Sequence, residues 1–359
     1  MSLDSRIQKI KKLESERKSR VICYINSDRP SNCPIAGMTM QISPDVQLHF
    51  YEHLKKIGKT KNIDLVLYTR GGNIETVWPL VSLIREFCDS FSVLVPFRAH
   101  SAGTMICLGA NEIRMAKLAE LSPIDPTTGN QFNPIDETNP RSRKGISVED
   151  VTSYLDLAKE DFGIKKEENI VNIFKHLTDK IEPLALGNVK RVHKLIRRLA
   201  DELLHLHFDE AKYSKKIEAI KKTLTSELYS HVHYINRQEA MKILGEEIVK
   251  FCSENEEAAL WDVFVDYADT LKLKETFNIK EYMGTDVSKE LEVVGAFIES
   301  ADLSHTFNAK SKLTQRSKLP PNLQVQVQPG QAFPLIPGFP IEIEVDLISV
   351  GWKVNDGKI

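Results

Sequence analysis

Ile63-Asp-Leu-Val-Leu-Tyr-Thr-Arg-Gly-Gly-Asn73 is an apolar run that stops in a glycine pair. Phe91-Ser-Val-Leu-Val-Pro96 is a second apolar run, and it leads into the small-residue turn Ala99-His-Ser-Ala-Gly-Thr104. Each run is short and continuous, as expected of a strand buried on both faces. Between them, Val77, Leu80, Val81, Ile84 and Phe87 recur at helical spacing, which predicts a helix over Asn73 to Cys88. A short apolar helix follows from Ser101 to Gly109, and then a brief strand at Glu112-Ile-Arg-Met115. Strands and helices that alternate through short connections indicate right-handed parallel βαβ units, hence an α/β fold.

Working outward, residues 3–19 place Ile7, Ile10 and Leu13 on one helical face, and Arg20-Val-Ile-Cys-Tyr-Ile-Asn26 reads as a strand. Ser43-Pro-Asp-Val-Gln opens a further helix that runs through Lys59. Residues 126–146 form a loop crowded with Pro, Asn, Thr, Gly, Arg and Lys, and unstructured loops of that length usually serve function. Ser147-Val-Glu-Asp150 is a capping pattern, after which helices dominate to about residue 245. Beyond about residue 275, Pro320 to Gln331 and Ile341 to Val350 alternate with a period of two. The chain therefore divides into an α/β core (1–146), a helical region (147–275) that completes the core and offers surface for oligomer contacts, and a small β-rich C-terminal appendage (276–359). No internal repeat is present.

Of the 359 residues, 42% are hydrophobic and 27% charged, which is ordinary for a globular protein with a sizeable core. A net charge of −2 gives no electrostatic reason to expect nucleic acid or an anionic membrane as partner. Basic residues such as Lys190, Arg191 and Arg197 sit on a helical stretch and read as a solvated face. Five scattered cysteines without a CxxC pair favour a reducing compartment. No apolar window is long enough for a membrane span or a signal peptide, so a cytoplasmic location is expected.

The chemistry lies in the two turns. Gly71-Gly72 exposes bare backbone N–H groups at the end of a strand, and Ser101 offers a hydroxyl at the positive end of a helix. The Gly72 and Ala102 N–H groups would form an oxyanion hole, with Gly71 allowing the close approach and Ser101 acting as nucleophile. His100 is a poor base for its own neighbour, because successive side chains diverge by about 100° on a helix. It reads as a packing or substrate-orienting residue. The remaining base candidates are Asp125 and the group Arg141-Ser-Arg-Lys144, of which Arg cannot deprotonate. Lys144 fits either as a desolvated base or as a solvated loop lysine. His205-x-His207 and His231-x-His233 lack acidic or Cys partners in a ligand pattern, so neither a metal nor another cofactor is expected.

The strings Ile63 to Asn73, Ala99 to Thr104, Ala110-Asn-Glu-Ile-Arg-Met115 and Ser122-Pro-Ile-Asp-Pro126 together resemble the serine dehydrogenase proteinase family. That family is similar to signal peptide peptidase A and belongs to the Clp protease/crotonase superfamily. The resemblance covers about residues 15–250 and implies a serine peptidase on a spiral of ββα units, commonly assembled as a homo-oligomer. It carries the nucleophile to Ser101 and the glycine donor to Gly72. In the signal-peptide-peptidase branch the base is a Lys in a loop before a helix, well beyond the Ser, and Lys144 lies in that setting 43 residues after Ser101. The Clp branch would place a base His where this chain has Asp125 and Pro126, so the resemblance implies a dyad rather than a triad.

These readings converge on a soluble peptidase that cleaves peptides or proteins through Ser101 and Lys144, with Asp125 and His100 shaping the pocket. One rival is a crotonase-type acyl-CoA enzyme using the same oxyanion hole. The other is a non-catalytic oligomeric scaffold that binds partners through its C-terminal strands.

Overall fold

The computed structural model describes residues 3–124, 127–128, 130–136, 139–228, 230, 233–318 and 335–355. Its elements begin with α1 (Leu3–Arg17), β1 (Arg20–Asn26), α2 (Val46–Ile57) and β2 (Thr60–Tyr68). A 3-10 turn (Ile74–Thr76) leads into α3 (Val77–Glu86), and β3 (Cys88–Val95), β4 (Arg98–Ala99), α4 (Ala102–Leu108), β5 (Glu112–Met115) and β6 (Glu120–Leu121) follow. Next come four short strands, β7 (Thr127–Thr128), β8 (Ile135–Asp136), β9 (Asn139–Arg143) and β10 (Ile146–Ser147). The helical region holds α5 (Val148–Asp156), α6 (Glu167–Thr178), α7 (Pro183–His205) and α8 (Glu210–Lys222). Then come β11 (Ile235–Asn236), α9 (Arg237–Leu244), β12 (Val249–Phe251), α10 (Glu254–Thr270) and α11 (Ile279–Met283). Three long strands close the chain, β13 (Ser288–Ser300), β14 (Leu303–Ser317) and β15 (Ile341–Val354).

An eight-stranded sheet in the order β12-β5-β3-β2-β1-β13-β14-β15 forms the centre. The first five strands are mutually parallel, and the last three join antiparallel. Ile63 to Tyr68 and Phe91 to Val95 are buried throughout, which is why they carry no polar alternation. A second sheet, β11-β6-β4, sits where β4 leads into Ser101. Together these make the α/β architecture expected from the alternating runs.

Two regions differ from the expectation. The stretch 126–146, read as a bare loop, contains a β8–β9 pairing and a β7–β10 pairing. Strands of two to five residues are too short to show a period in sequence. The C-terminal residues read as an appendage are continuous with the central sheet: Ile22 to Asn26 of β1 pair with Ser300 to Ala296 of β13. A buried polar knot fastens this junction. Arg6 on α1 makes a bidentate pair with Glu299 at 2.8 and 2.9 Å, and the Tyr267 and Ser304 hydroxyls donate to the same carboxylate at 2.8 and 2.6 Å. A fully buried carboxylate is tolerated only when paired and hydrogen-bonded in this way. The alternating segment from Pro320 lies outside the described residues.

Candidate active site

The two turns flagged in the sequence meet at the carboxyl ends of β2 and β3, the end of a parallel sheet where ligands usually bind. Beyond Tyr68 the chain pairs in parallel with β4: the Thr69 N–H donates to Arg98 O at 2.9 Å, and the His100 N–H to Thr69 O at 3.1 Å. This ladder fixes Gly71-Gly72 beside Ser101. A Cβ on Gly71 would fall 2.8 Å from Ser101 Cβ, 3.0 Å from His100 O and 3.3 Å from the Ala102 nitrogen. Gly72 is hemmed from the other side, where a Cβ would lie 2.4 Å from both the nitrogen and the oxygen of Ile42. The pair adopts φ of +106° and +149°, and these positions have room for no side chain.

Ser101 has φ 51° and ψ −112°, a strained conformation for a residue with a side chain. Such strand-to-helix turns project a nucleophile clear of the backbone. The strain is held by a hydrogen-bond chain. The Ser101 N–H donates to Ser122 Oγ at 2.7 Å, and Ser122 Oγ–H donates to Pro123 O at 2.9 Å. The Ser122 N–H donates to Thr104 Oγ1 at 3.0 Å, and the Thr104 hydroxyl donates to Ala99 O at 2.8 Å. Ser122 and Thr104 are buried. Among the described residues, the N–H groups of Gly72 and Ala102 have no hydrogen-bond partner, and neither does the Ser101 hydroxyl. Two unspent donors beside a strained serine are the parts of an oxyanion site.

His100 is turned to another task. Its Nε2 lies 3.2 Å from Glu120 Oε1, and its ring stacks on Tyr234 with centroids 5.3 Å apart. Glu120 also accepts from Arg98 Nε at 2.9 Å, and Arg98 Nη1 donates to Asp28 at 3.0 Å. Burial works against the charge of Arg98, but Glu120 and Asp28 hold its pKa above the ordinary value. Burial, with Asp28 alongside, likewise pushes the Tyr68 phenol up. A cavity of about 750 Å³ opens on the Arg70 side of the glycine pair, lined by Asp28, Arg29, Cys33, Met38, Arg70 and Arg98. Ser101 is not among its lining residues.

The structure thus brings together Ser101, Gly71, Gly72, Ala102 and His100. Lys144 is exposed on the β9–β10 connection, its N–H donating to Pro134 O at 2.8 Å and its carbonyl accepting from Asn133 Nδ2 at 2.9 Å. No hydrogen bond joins its ammonium to the Ser101 hydroxyl. Asp125 lies outside the described residues. Ser122 and Thr104 were not singled out by sequence reasoning. The only signal for Ser122 was its place in Ser122-Pro-Ile-Asp-Pro126, which says nothing about the amide it holds.

Comparison with known proteins gives the family of the chain. The chain belongs to the ClpP-like SDH-type serine proteinases, whose family model matches residues 1–185, and its fold is accordingly ClpP/crotonase-like. Two uncharacterized proteins of Methanocaldococcus jannaschii are similar to it. One is 29% identical over 178 residues and the other 27% over 175, covering 49% and 48% of this chain. The chain spans about three fifths of the length of these curated relatives, 59% and 60%. Among solved structures it is similar to two of the 1510-N membrane-bound stomatin-specific protease. One is a serine-to-alanine mutant and the other a lysine-to-alanine mutant in complex with a substrate peptide. Both are 15% identical with a TM-score of 0.35, covering 58% and 60% of this chain and 75% of theirs. At that likeness nothing about the site is carried across. No helix among the described residues is long and apolar enough to cross a membrane.

Proposed function

We propose that this chain is a serine peptidase in which Ser101 is the nucleophile, Gly72 and Ala102 are the oxyanion donors and Lys144 is the base. The observation that supports it most is the strained Ser101 turn packed against Gly71, with two backbone N–H groups left without partners. Lys144, as the neutral amine, takes the Ser101 proton while Oγ bonds to the peptide carbonyl carbon. The developing oxyanion accepts from the Gly72 and Ala102 N–H groups. Collapse of the tetrahedral intermediate breaks the C–N bond, and the amine leaves with the proton. Water then releases the acyl group, its proton returning through Lys144.

Acylation is the direct test. Incubation with an activated peptide ester, followed by intact-mass and tryptic analysis, should show one acyl group on the peptide that carries Ser101. Acylation elsewhere, or none, would sink the assignment. The crotonase-type reading predicts acyl-CoA binding instead, which does not depend on Ser101. The scaffold reading predicts no covalent adduct. A homo-oligomer in the cytoplasm completes the proposal. Leu157, Phe162, Val171 and Phe174 leave apolar surface on the helical region for such contacts, and a monomer in light scattering would remove that part.

A further inference from the structure

Away from the serine turn, α2 and β14 bring together three potential ligands from two segments about 250 residues apart in sequence. His49 and Glu52 lie one turn apart on α2, and His305 faces them from β14; their ligand atoms all lie within 4.8 Å of one another. Glu52 Oε2 is 3.0 Å from His305 Nε2 and 3.9 Å from His49 Nδ1. Two ligands each about 2 Å from a tetrahedral zinc ion are themselves about 3.3 Å apart, between these two separations.

Two independent features point to a ligand here. His49 Nδ1 is shut off from solvent and has no hydrogen-bond partner among the described residues, although a buried ring nitrogen normally has one. The outer contacts are those of a metal-bound imidazole. His305 is 2% exposed, and its Nδ1 lies 3.1 Å from His53 Nε2. His53 is fully buried, and its Nδ1 lies 2.8 Å from Ser300 Oγ. A hydrogen-bonded second nitrogen fixes the ring and leaves the first free to ligate. Trp352 of β15 covers the cluster, its ring centroid 5.3 Å from that of His49 and its Nε1–H donating to Asp45 at 2.8 Å. Glu52 is 47% exposed and supplies the entry path.

We propose that His49 Nδ1, Glu52 Oε2 and His305 Nε2 bind one divalent transition ion of the zinc class, with water in the fourth position. Two imidazoles and one carboxylate are a donor set suited to such an ion and poorly suited to calcium or magnesium. The ion clamps β14 to α2, and through Trp352 it also holds β15. None of its ligands belongs to the serine site.

The test uses the full chain, stripped by a chelator and titrated with Zn²⁺ in a calorimeter and with Co²⁺ by visible absorption. We expect one ion per chain, a Co²⁺ spectrum of low coordination number, and a thermal midpoint that rises with Zn²⁺. His49→Gln and Glu52→Gln, both at partly exposed positions, should each weaken binding at least about tenfold and remove the thermal shift. Failure of the wild-type chain to bind would overturn the site. So would unchanged affinity in both variants, which would place the ion elsewhere.

Discussion

Replacing Ser122 by Ala tests whether the serine turn is held in its strained form by a single side chain. The buried Ser122 hydroxyl accepts the Ser101 N–H at 2.7 Å and donates to Pro123 O at 2.9 Å. Its removal leaves a part-buried donor without a partner, which costs about 1–3 kcal/mol. The φ of 51° at Ser101 carries strain of about 1–3 kcal/mol that the surroundings must over-determine, so the turn also gains a route to relax. Stability should therefore fall by about 1–3 kcal/mol, read as a lower urea midpoint at unchanged slope. Hydrolysis of a labelled casein should fall in kcat about tenfold or more with KM near the wild-type value, since Ser122 touches the turn and not the substrate. Ser122→Thr, which keeps the hydroxyl, should recover much of both. Unchanged stability and unchanged kcat in Ser122→Ala would refute the claim that this hydrogen bond sets the nucleophile.

Lys144→Ala should abolish turnover without lowering the urea midpoint by more than about 0.5 kcal/mol, as befits an exposed position, and Lys144→Arg should not rescue it. Retained turnover in Lys144→Ala would assign the base elsewhere. Gly72→Ala drives a Cβ into the Ile42 backbone and breaks the hydrogen bonds of Ile42 N–H to Gly71 O and of Asn73 N–H to Ile42 O. A loss of about 2–4 kcal/mol in urea unfolding is expected, and a wild-type midpoint would contradict the packing. Burial lowers the pKa of His207 from 6.5 to about 4, against the opposing effect of its hydrogen bond to Leu108 O. The unfolded chain then binds more protons between these values, so this contribution to stability is intact above pH 6.5 and declines as the pH falls towards 4. The wild-type chain should lose about 1–3 kcal/mol more than His207→Asn over that window. Parallel stability–pH curves would refute the assignment.

The parts of the fold governed by local pattern could be read from sequence. Arg20 to Asn26 is a strand as expected, and the runs at Ile63 and Phe91 lie inside β2 and β3. Ser147 caps α5 through the Asp150 N–H as its pattern implied. The long strands β13 and β14 were not legible, because Glu299, Ser300, His305 and Ser311 are buried polar residues that interrupt the alternation. Glu299 is tolerated there because of Arg6, nearly three hundred residues away, which no local pattern can reveal. The same limit applies to function. Ser101, Gly71, Gly72 and Ala102 sit close in sequence on two consecutive βα turns, so their meeting follows from the topology. Ser122 and the His49, Glu52 and His305 cluster depend on tertiary contacts alone. Lys144 rests on residue type and on its place in the loop before α5, and neither fixes where its ammonium lies.

Peptide-bond cleavage is the most direct test of Ser101 as the proposed nucleophile. Release of soluble fragments from labelled casein should be compared for the wild-type chain and Ser101→Ala at equal folded concentration. Cleavage by the wild-type chain is expected, with a loss of roughly a thousandfold or more in the variant. Equal rates, or no cleavage by the wild-type chain, would contradict it.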